Sequence, residues 1–317
     1  MKAKTPGLRI FMSSFFMVLF ILFIACSNQP SKKKLEYKNY PNLQIGFSTQ
    51  NFLKAMPNSV ANLTELIEYA SKEGYQFIEI RDELAKLTAS ECEALAEVAK
   101  KNKVDVIYEL HKNPLDTGFF KVFERGLANT LLFPGPGILR TVLSRVEFDT
   151  VMKGWTKAEL NQLTKMTDSC ATIARSKNMR FIVENFNEPF LGNDPIYFGL
   201  SDMFAGTKLT GLQFDLGNPF RKPVMAKADP EKVLEYLPSL GNRWVTTHLK
   251  TVLVMGGDMQ AVLSENPLPI EKVVDLMAKQ NVIYGALELA ALPDKQQCYD
   301  NHAASIKFLK DIGVLKN

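Results

Sequence analysis

Histidine is scarce in this chain, three in 317 residues, which leaves too few imidazoles for a histidine-rich centre holding several metal ions. Cysteine is nearly as rare. The four present include no CxxC pair, so cysteine-based zinc binding and dithiol exchange are excluded. Cys92 recurs with Leu95 and Ala99, and Cys170 with Leu163, Met166 and Ile173, at helical spacings that predict buried thiols on apolar faces. Cys298 opens the last helix, and its spacing leaves its role open. The first 25 residues lack any acidic side chain.

That acid-free stretch carries Lys2, Lys4 and Arg9 ahead of an apolar run from Ile10 to Ala25, the layout of a secretory signal too short to span a bilayer comfortably. The run ends Leu22-Phe23-Ile24-Ala25-Cys26, which resembles a bacterial lipobox with Phe23 in place of the usual aliphatic residue. Cleavage before a lipidated Cys26 is the expectation, and an uncleaved N-terminal anchor the alternative; either reading takes the protein out of the cytoplasm. Residues 26–40 are polar, with Lys32, Lys33, Lys34 and Lys38 against Glu36, and read as a solvated tether. Taking the three signal charges and the tether's net +3 from the chain's +4 leaves −2 for residues 41–317, so no positive field is present there to attract nucleic acid.

With 46% hydrophobic and 23% charged residues, the rest of the chain has an ordinary globular composition. From Pro41 on, short apolar runs of strand type alternate with helical patterns. Strands are predicted over 43–49, 75–80, 104–110, 138–143, 180–183, 212–214, 244–247 and 283–287. Helices are predicted to start after Asn58-Ser59, near Ser90, at Thr117, after Thr156, and near Asp194, Asp229 and Pro269, with a last stripe of Ala303, Ile306, Leu309 and Ile312. Eight βα units without a second domain boundary predict one (β/α)8 TIM barrel over residues 41–317.

Four residues stand where predicted strands run out: Glu184 after Phe181-Ile182-Val183, Asp215 after Leu212-Gln213-Phe214, His248 after Trp244-Val245-Thr246-Thr247, and Glu288 after Tyr284-Gly285-Ala286-Leu287. In a parallel barrel such ends converge on one mouth. Three carboxylates and one imidazole suit a divalent cation: Mn²⁺, Mg²⁺, Co²⁺ or Zn²⁺. The plainer alternative is that these carboxylates only cap barrel loops. Lys250, two residues past His248, shares its face and could hold a substrate oxygen, or is a surface lysine on a loop. His111 follows strand three as a substrate contact or proton shuttle, or as an exposed loop residue. Asn218 either orients the site through its amide or serves the turn Gly217-Asn218-Pro219, and His302 in the last helix reads as structural.

In this order, Gly74-Tyr75-Gln76-Phe77-Ile78-Glu79-Ile80, Val183-Glu184-Asn185, Asp215-Leu216-Gly217-Asn218, His248-Leu249-Lys250 and Leu287-Glu288 resemble the xylose isomerase-like TIM-barrel superfamily of sugar phosphate isomerases/epimerases, over residues 43–315. The resemblance implies that Glu184, Asp215, His248 and Glu288 bind one divalent metal. It further implies that Glu184 and Glu288 transfer protons to and from an α-carbon through a metal-bound enediolate, and that Glu79 binds substrate or braces the barrel rim. Two positions depart from the family pattern: Thr251 stands where Asp is common, and Phe186 where His is frequent.

The leading expectation is an isomerase or epimerase of an unphosphorylated sugar or sugar derivative, since phosphorylated sugars are mainly cytoplasmic. A lyase or dehydratase acting on 3-keto sugars or inososes would share the first step. A DNA-repair activity, known in the superfamily, conflicts with the few histidines and the export signal. A glycan-binding lipoprotein without catalysis would have no need of all four ligands. The N-terminal reading has a direct check: metabolic labelling with a fatty acid should mark the wild-type chain, anchored to a membrane and facing the periplasm, and Cys26→Ser should abolish the label. Label persisting in that variant would refute the lipobox.

Overall fold

Eight strands of four to six residues close a barrel in sequence order: β1 Gln44–Ser48, β2 Phe77–Arg81, β3 Asp105–Glu109, β4 Ile138–Val142, β5 Arg180–Glu184, β6 Gly211–Asp215, β7 Trp244–Leu249 and β8 Tyr284–Leu287. All neighbours pair in parallel, and β8 returns to β1. The computed structural model describes residues 34–143, 153–192, 194–220, 228–251, 262–264 and 268–317. Cys26, the signal segment and the start of the tether lie outside the described residues. Among those described, no helix is long and apolar enough to cross a membrane.

The helices begin where short polar side chains can take up free backbone N–H groups. Ser59 caps α1 (Val60–Glu73), Asp229 caps α6 (Pro230–Tyr236) and Asp294 caps α8 (Lys295–Asp311). Thr88 with Glu91, and Thr156 with Glu159, form reciprocal capping boxes on α2 (Ala89–Asn102) and α4 (Lys157–Ser176). Gly74 ends α1 at φ 91°, a conformation that favours glycine. The remaining helices are α3 (Phe119–Thr130), α5 (Leu200–Gly206) and α7 (Ile270–Lys279).

Four expectations need correction. Gly118, at φ 75°, precedes α3 where Thr117 was expected to cap it. Asp194 does not start a helix: its carboxylate takes the N–H groups of Ile196 and Tyr197 in a local turn, and α5 begins at Leu200. The fully buried face of α8 is Cys298, His302, Ser305 and Leu309; of the expected stripe, Leu309 belongs to it, Ile306 and Ile312 pack against it half-buried, and Ala303 is exposed, because a histidine and a serine occupy core positions. The tether is shorter than residues 26–40. Leu35 and Tyr37 are buried, Tyr37 bridges to Leu315, and Lys38 N–H donates to Val314 O at 2.9 Å. The three cysteines among the described residues are free and buried.

Successive strand residues alternate between the barrel interior and the surrounding helices. Phe77, Ile107, Ile138, Ile182, Val245 and Ala286 fill the interior with one apolar cluster. Two residues further along their strands stand Glu79, Glu109, Arg140, Glu184 and Glu288. The interior is therefore apolar below and charged above. Gly46 on β1 faces this packing, and a Cβ there would overlap the carbonyl oxygen and ring of Phe77. Gly46→Ala should destabilise the fold by about 1–3 kcal/mol, read as a lower urea midpoint at unchanged m-value.

Candidate metal centre

The last residues of β5 and β6, the penultimate residue of β7 and the residue after β8 bring Glu184, Asp215, His248 and Glu288 together. One ligand atom from each lies within 4.8 Å of all the others, and all four residues are buried. His248 Nδ1 is 2.5 Å from Glu288 Oε2, 3.4 Å from Glu184 Oε1 and 3.5 Å from Asp215 Oδ2. Its other nitrogen, Nε2, is 2.6 Å from Glu79 Oε2. A carboxylate behind a ligating imidazole fixes its tautomer, leaving Nδ1 as the donor to a metal.

The arrangement fits a divalent cation. His248 Nδ1 and Glu288 Oε2 are both buried, and at 2.5 Å each has the other as its nearest polar partner. Three carboxylates crowded around one imidazole, with a ligand atom from each within 4.8 Å of all the others, repel one another unless a cation stands among them. Charge points the same way. Five buried carboxylates, Glu79, Glu109, Glu184, Asp215 and Glu288, face two permanent cations, Arg140 and Lys250. Although burial alone would neutralise it, His248 is held well above the ordinary imidazole range by Glu79, Glu288 and Glu184. A ligating imidazole must give up that proton, so a cation would replace it.

Each ligand is held by further buried groups. Arg140 on β4, 2% exposed, pairs through Nη2 with Glu109 Oε1 at 2.6 Å and through Nη1 with Glu184 Oε2 at 2.8 Å. Against the cost of burial, Arg140 keeps both carboxyls below their usual range. Gln213 Nε2 donates to Glu79 Oε1 at 2.8 Å, and Ser48 Oγ to Glu109 Oε2 at 3.1 Å. Burial lifts Glu79 to about 8, with His248 opposing the rise. Asp215 Oδ1 accepts from the N–H groups of Gly217 and Asn218, and Lys250 Nζ stands 3.0 Å from Asp215 Oδ2 and 3.3 Å from Glu288 Oε1. Burial opposes it, yet Lys250 with His248 holds Glu288 well below the carboxylate range.

Two asparagines fix the backbone beneath the ligands. Asn185 takes Asp215 N–H on Oδ1 at 2.7 Å and donates Nδ2 to Asp215 O at 3.0 Å. Asn51 does the same on either side of Glu288, accepting from Leu289 N–H at 2.7 Å and donating to Leu287 O at 3.0 Å. Asn51 Nδ2 also reaches His302 Nε2 at 3.0 Å, and His302 Nδ1 meets the Tyr75 hydroxyl at 3.2 Å. His302 is therefore structural, as the sequence predicts.

The structure thus gathers the four expected ligands and adds Lys250, which is buried and not on a surface loop. Asn218 is spent on its neighbours, donating Nδ2 to Asn185 O at 2.8 Å with Oδ1 3.4 Å from Lys250 Nζ. These contacts tie the loops after β5, β6 and β7 together. Glu79 lies mid-strand inside the barrel, its oxygens engaged by His248 and Gln213. His111 is half-buried, its Nδ1 2.7 Å from Arg81 Nη2. Thr251 Oγ1 accepts from Ser264 N–H at 3.0 Å, a loop contact where the resemblance places an acid. Sequence reasoning missed Arg140, Glu109, Asn51, the stapling role of Asn185 and Glu188. Glu188 is a buried carboxyl raised to about 8 by desolvation, with Oε1 accepting from Phe186 N–H at 3.0 Å. Only Arg140 left a signal: a charge inside the apolar run Ile138–Leu143.

No protein-family model matches the chain, and no curated protein does. Solved structures do share its fold. A sugar phosphate isomerase/epimerase from Parabacteroides distasonis is 11% identical with a TM-score of 0.60, over 84% of this chain and 96% of its own. A D-allulose 3-epimerase from a Methylomonas species, in complex with D-allulose, gives 11% and 0.61 over 88% and 99%. A xylose isomerase-like TIM-barrel protein from Mycobacterium smegmatis, in complex with magnesium, gives 15% and 0.61 over 85% and 97%.

Metal content and linked protons test the centre. Elemental analysis should find one divalent ion per chain, lost in His248→Ala and Asp215→Ala with the fold retained. Asn185→Leu should weaken Mn²⁺ binding by about 10- to 100-fold. Because His248 must deprotonate, calorimetry in buffers of different ionisation enthalpy should show proton release, and affinity should rise with pH until that proton is gone.

Proposed function

We propose that this chain is a divalent-metal-dependent isomerase or epimerase acting on an unphosphorylated sugar or sugar derivative. The observation that carries the reading is the ring of Glu184, Asp215, His248 and Glu288, all four buried, with one ligand atom from each within 4.8 Å of all the others. Two relatives in fold add support, one solved with D-allulose and one with magnesium. A cation held by these four residues would polarise adjacent carbonyl and hydroxyl oxygens of a sugar, making the α-hydrogen acidic enough to remove.

The protein's own groups then have distinct tasks. Glu184 and Glu288, on β5 and β8, are the carboxylates able to take and return the α-proton. Arg140 fixes Glu184 from one side and Lys250 fixes Glu288 from the other, so neither base spends entropy finding its position. Lys250 and Asn218, tied to Asp215, keep that carboxylate turned toward the centre. Elimination is the second reading: Glu188, four residues past Glu184, is a buried carboxyl raised to about 8 by desolvation, and a protonated acid at that position would serve as donor to a departing β-substituent. We place the enzyme outside the cytoplasm on the strength of the N-terminal pattern and the Ala25-Cys26 junction, lipid-anchored and facing the periplasm.

The chemistry is tested by incubating the metal-loaded protein with a panel of sugars and 3-keto sugars in D₂O and following exchange, epimerisation or elimination by NMR. Glu184→Gln and Glu288→Gln keep an oxygen donor and remove the base, so each should lower turnover by roughly 10²-fold or more. Wild-type rates in both variants would place the bases elsewhere.

A further inference from the structure

Strand alternation places another set of inward-facing positions above the metal layer. On β2 this position is Arg81, two residues beyond Glu79 and in register with the inward-facing Glu109. His111 follows Glu109 by two residues, and Phe186 follows Glu184 by two. These side chains touch. Arg81 Nη2 lies 2.7 Å from His111 Nδ1, and the His111 and Phe186 rings meet edge to face with centroids 5.8 Å apart.

The bonding of Arg81 is incomplete. Its side chain is only 12% exposed, and its Nη2 is divided between His111 and Glu83 Oε1, the latter at 3.1 Å. Its Nε is buried with no hydrogen-bond partner. A buried guanidinium N–H without an acceptor is costly, which makes it a prepared contact for an incoming one. Glu83 is 54% exposed, and a surface pair of that kind is worth little and readily exchanged. With Nδ1 accepting from Arg81, His111 carries its hydrogen on Nε2 and adds a neutral donor. Burial, with Arg81 and Arg140 nearby, pushes it down to about 4.

Resting on the reading of the site as a sugar enzyme, we propose that Arg81, supported by His111, recognises a carboxylate remote from the reacting carbons, so that the substrate class is sugar acids. The carboxylate would take Nε–H and, replacing Glu83, an Nη2–H. That is the side-on, two-point contact a planar guanidinium offers a planar acid. The spacing agrees. Two strand residues span about 6.6 Å, so a group held at Arg81 sits several carbon atoms along a sugar from the layer of Glu79 and His248.

The full chain, loaded with Mn²⁺, is titrated calorimetrically with D-galacturonate and D-glucuronate, with D-galactose and D-glucose, and with D-glucose 6-phosphate; the same mixtures are followed by NMR in D₂O. At least one uronate should bind about ten-fold or more tightly than its parent hexose. That ratio should fall to near one in Arg81→Gln and recover only in part in Arg81→Lys, which restores the charge without the fork. Equal affinities for uronates and hexoses in the wild type, or an unchanged ratio in Arg81→Gln, would overturn the assignment. Tighter binding of the 6-phosphate than of either uronate would replace carboxylate by phosphoryl recognition. The NMR arm separates this from the parent reading. Exchange on neutral hexoses without uronate preference removes only the sugar-acid assignment. Uronate binding that depends on Arg81, with no exchange on any sugar, keeps the anion contact and removes the proposed chemistry.

Discussion

Five carboxylates enclosed in the upper half of a narrow barrel are the constraint on which the rest of this structure depends. Removing one charge from water costs several kcal/mol unless it is paired and hydrogen-bonded. The pairing here is divided between two cations. Arg140 spans Glu109 and Glu184, and Lys250 spans Asp215 and Glu288, so each neutralises a boundary between strands and not a single residue. Glu79 is left with His248 and Gln213, and burial raises it to about 8. A net negative remainder persists in the middle, where Glu184, Asp215 and Glu288 crowd around His248 Nδ1. A divalent cation is the simplest body of the right charge and size for that place.

Because the donors repel one another, geometry must be imposed from outside the ring. The side chains Asn185 and Asn51 do this through the backbone, each accepting one N–H and donating to one carbonyl at a ligand-bearing strand end. An amide is suited to this where a carboxylate is not, since it carries a donor and an acceptor and adds no charge. Asn51 is in turn held by His302 on the last helix, which connects the metal layer to the aromatic packing of Phe47, Phe52 and Tyr75. Rigidity of the centre thus comes from the outer core.

The barrel and the four residues of the candidate centre were legible in the sequence because both are local. A strand of apolar residues ending in a carboxylate or imidazole, followed by a helical pattern, can be read from one short window. What supports them is not local. Arg140 contradicts the apolar run around it, and its partners on β3 and β5 become neighbours only when those strands pair with β4. Asn51 and Asn185 look like turn residues, and only their contacts show them to be staples. The misplaced start of α5 has the same origin: Asp194 caps a turn with the chemistry that elsewhere caps a helix. On α8 the stripe was read only in part, because Cys298, His302 and Ser305 occupy core positions that a hydrophobicity pattern does not credit.

The division of the interior into an apolar lower cluster and a charged upper layer separates stability from function in space. Phe77, Ile107, Ile138, Ile182, Val245 and Ala286 bury surface without polar cost, and the helix-facing core around the barrel does the same. The charged layer adds little to that balance, because buried ion pairs rarely gain more than desolvation removes. His248 stands where the two demands meet. One of its nitrogens is engaged by the supporting carboxylate Glu79, and the other is offered to the centre. His248 thus joins the supporting carboxylate Glu79 to the candidate ligand set through a single imidazole.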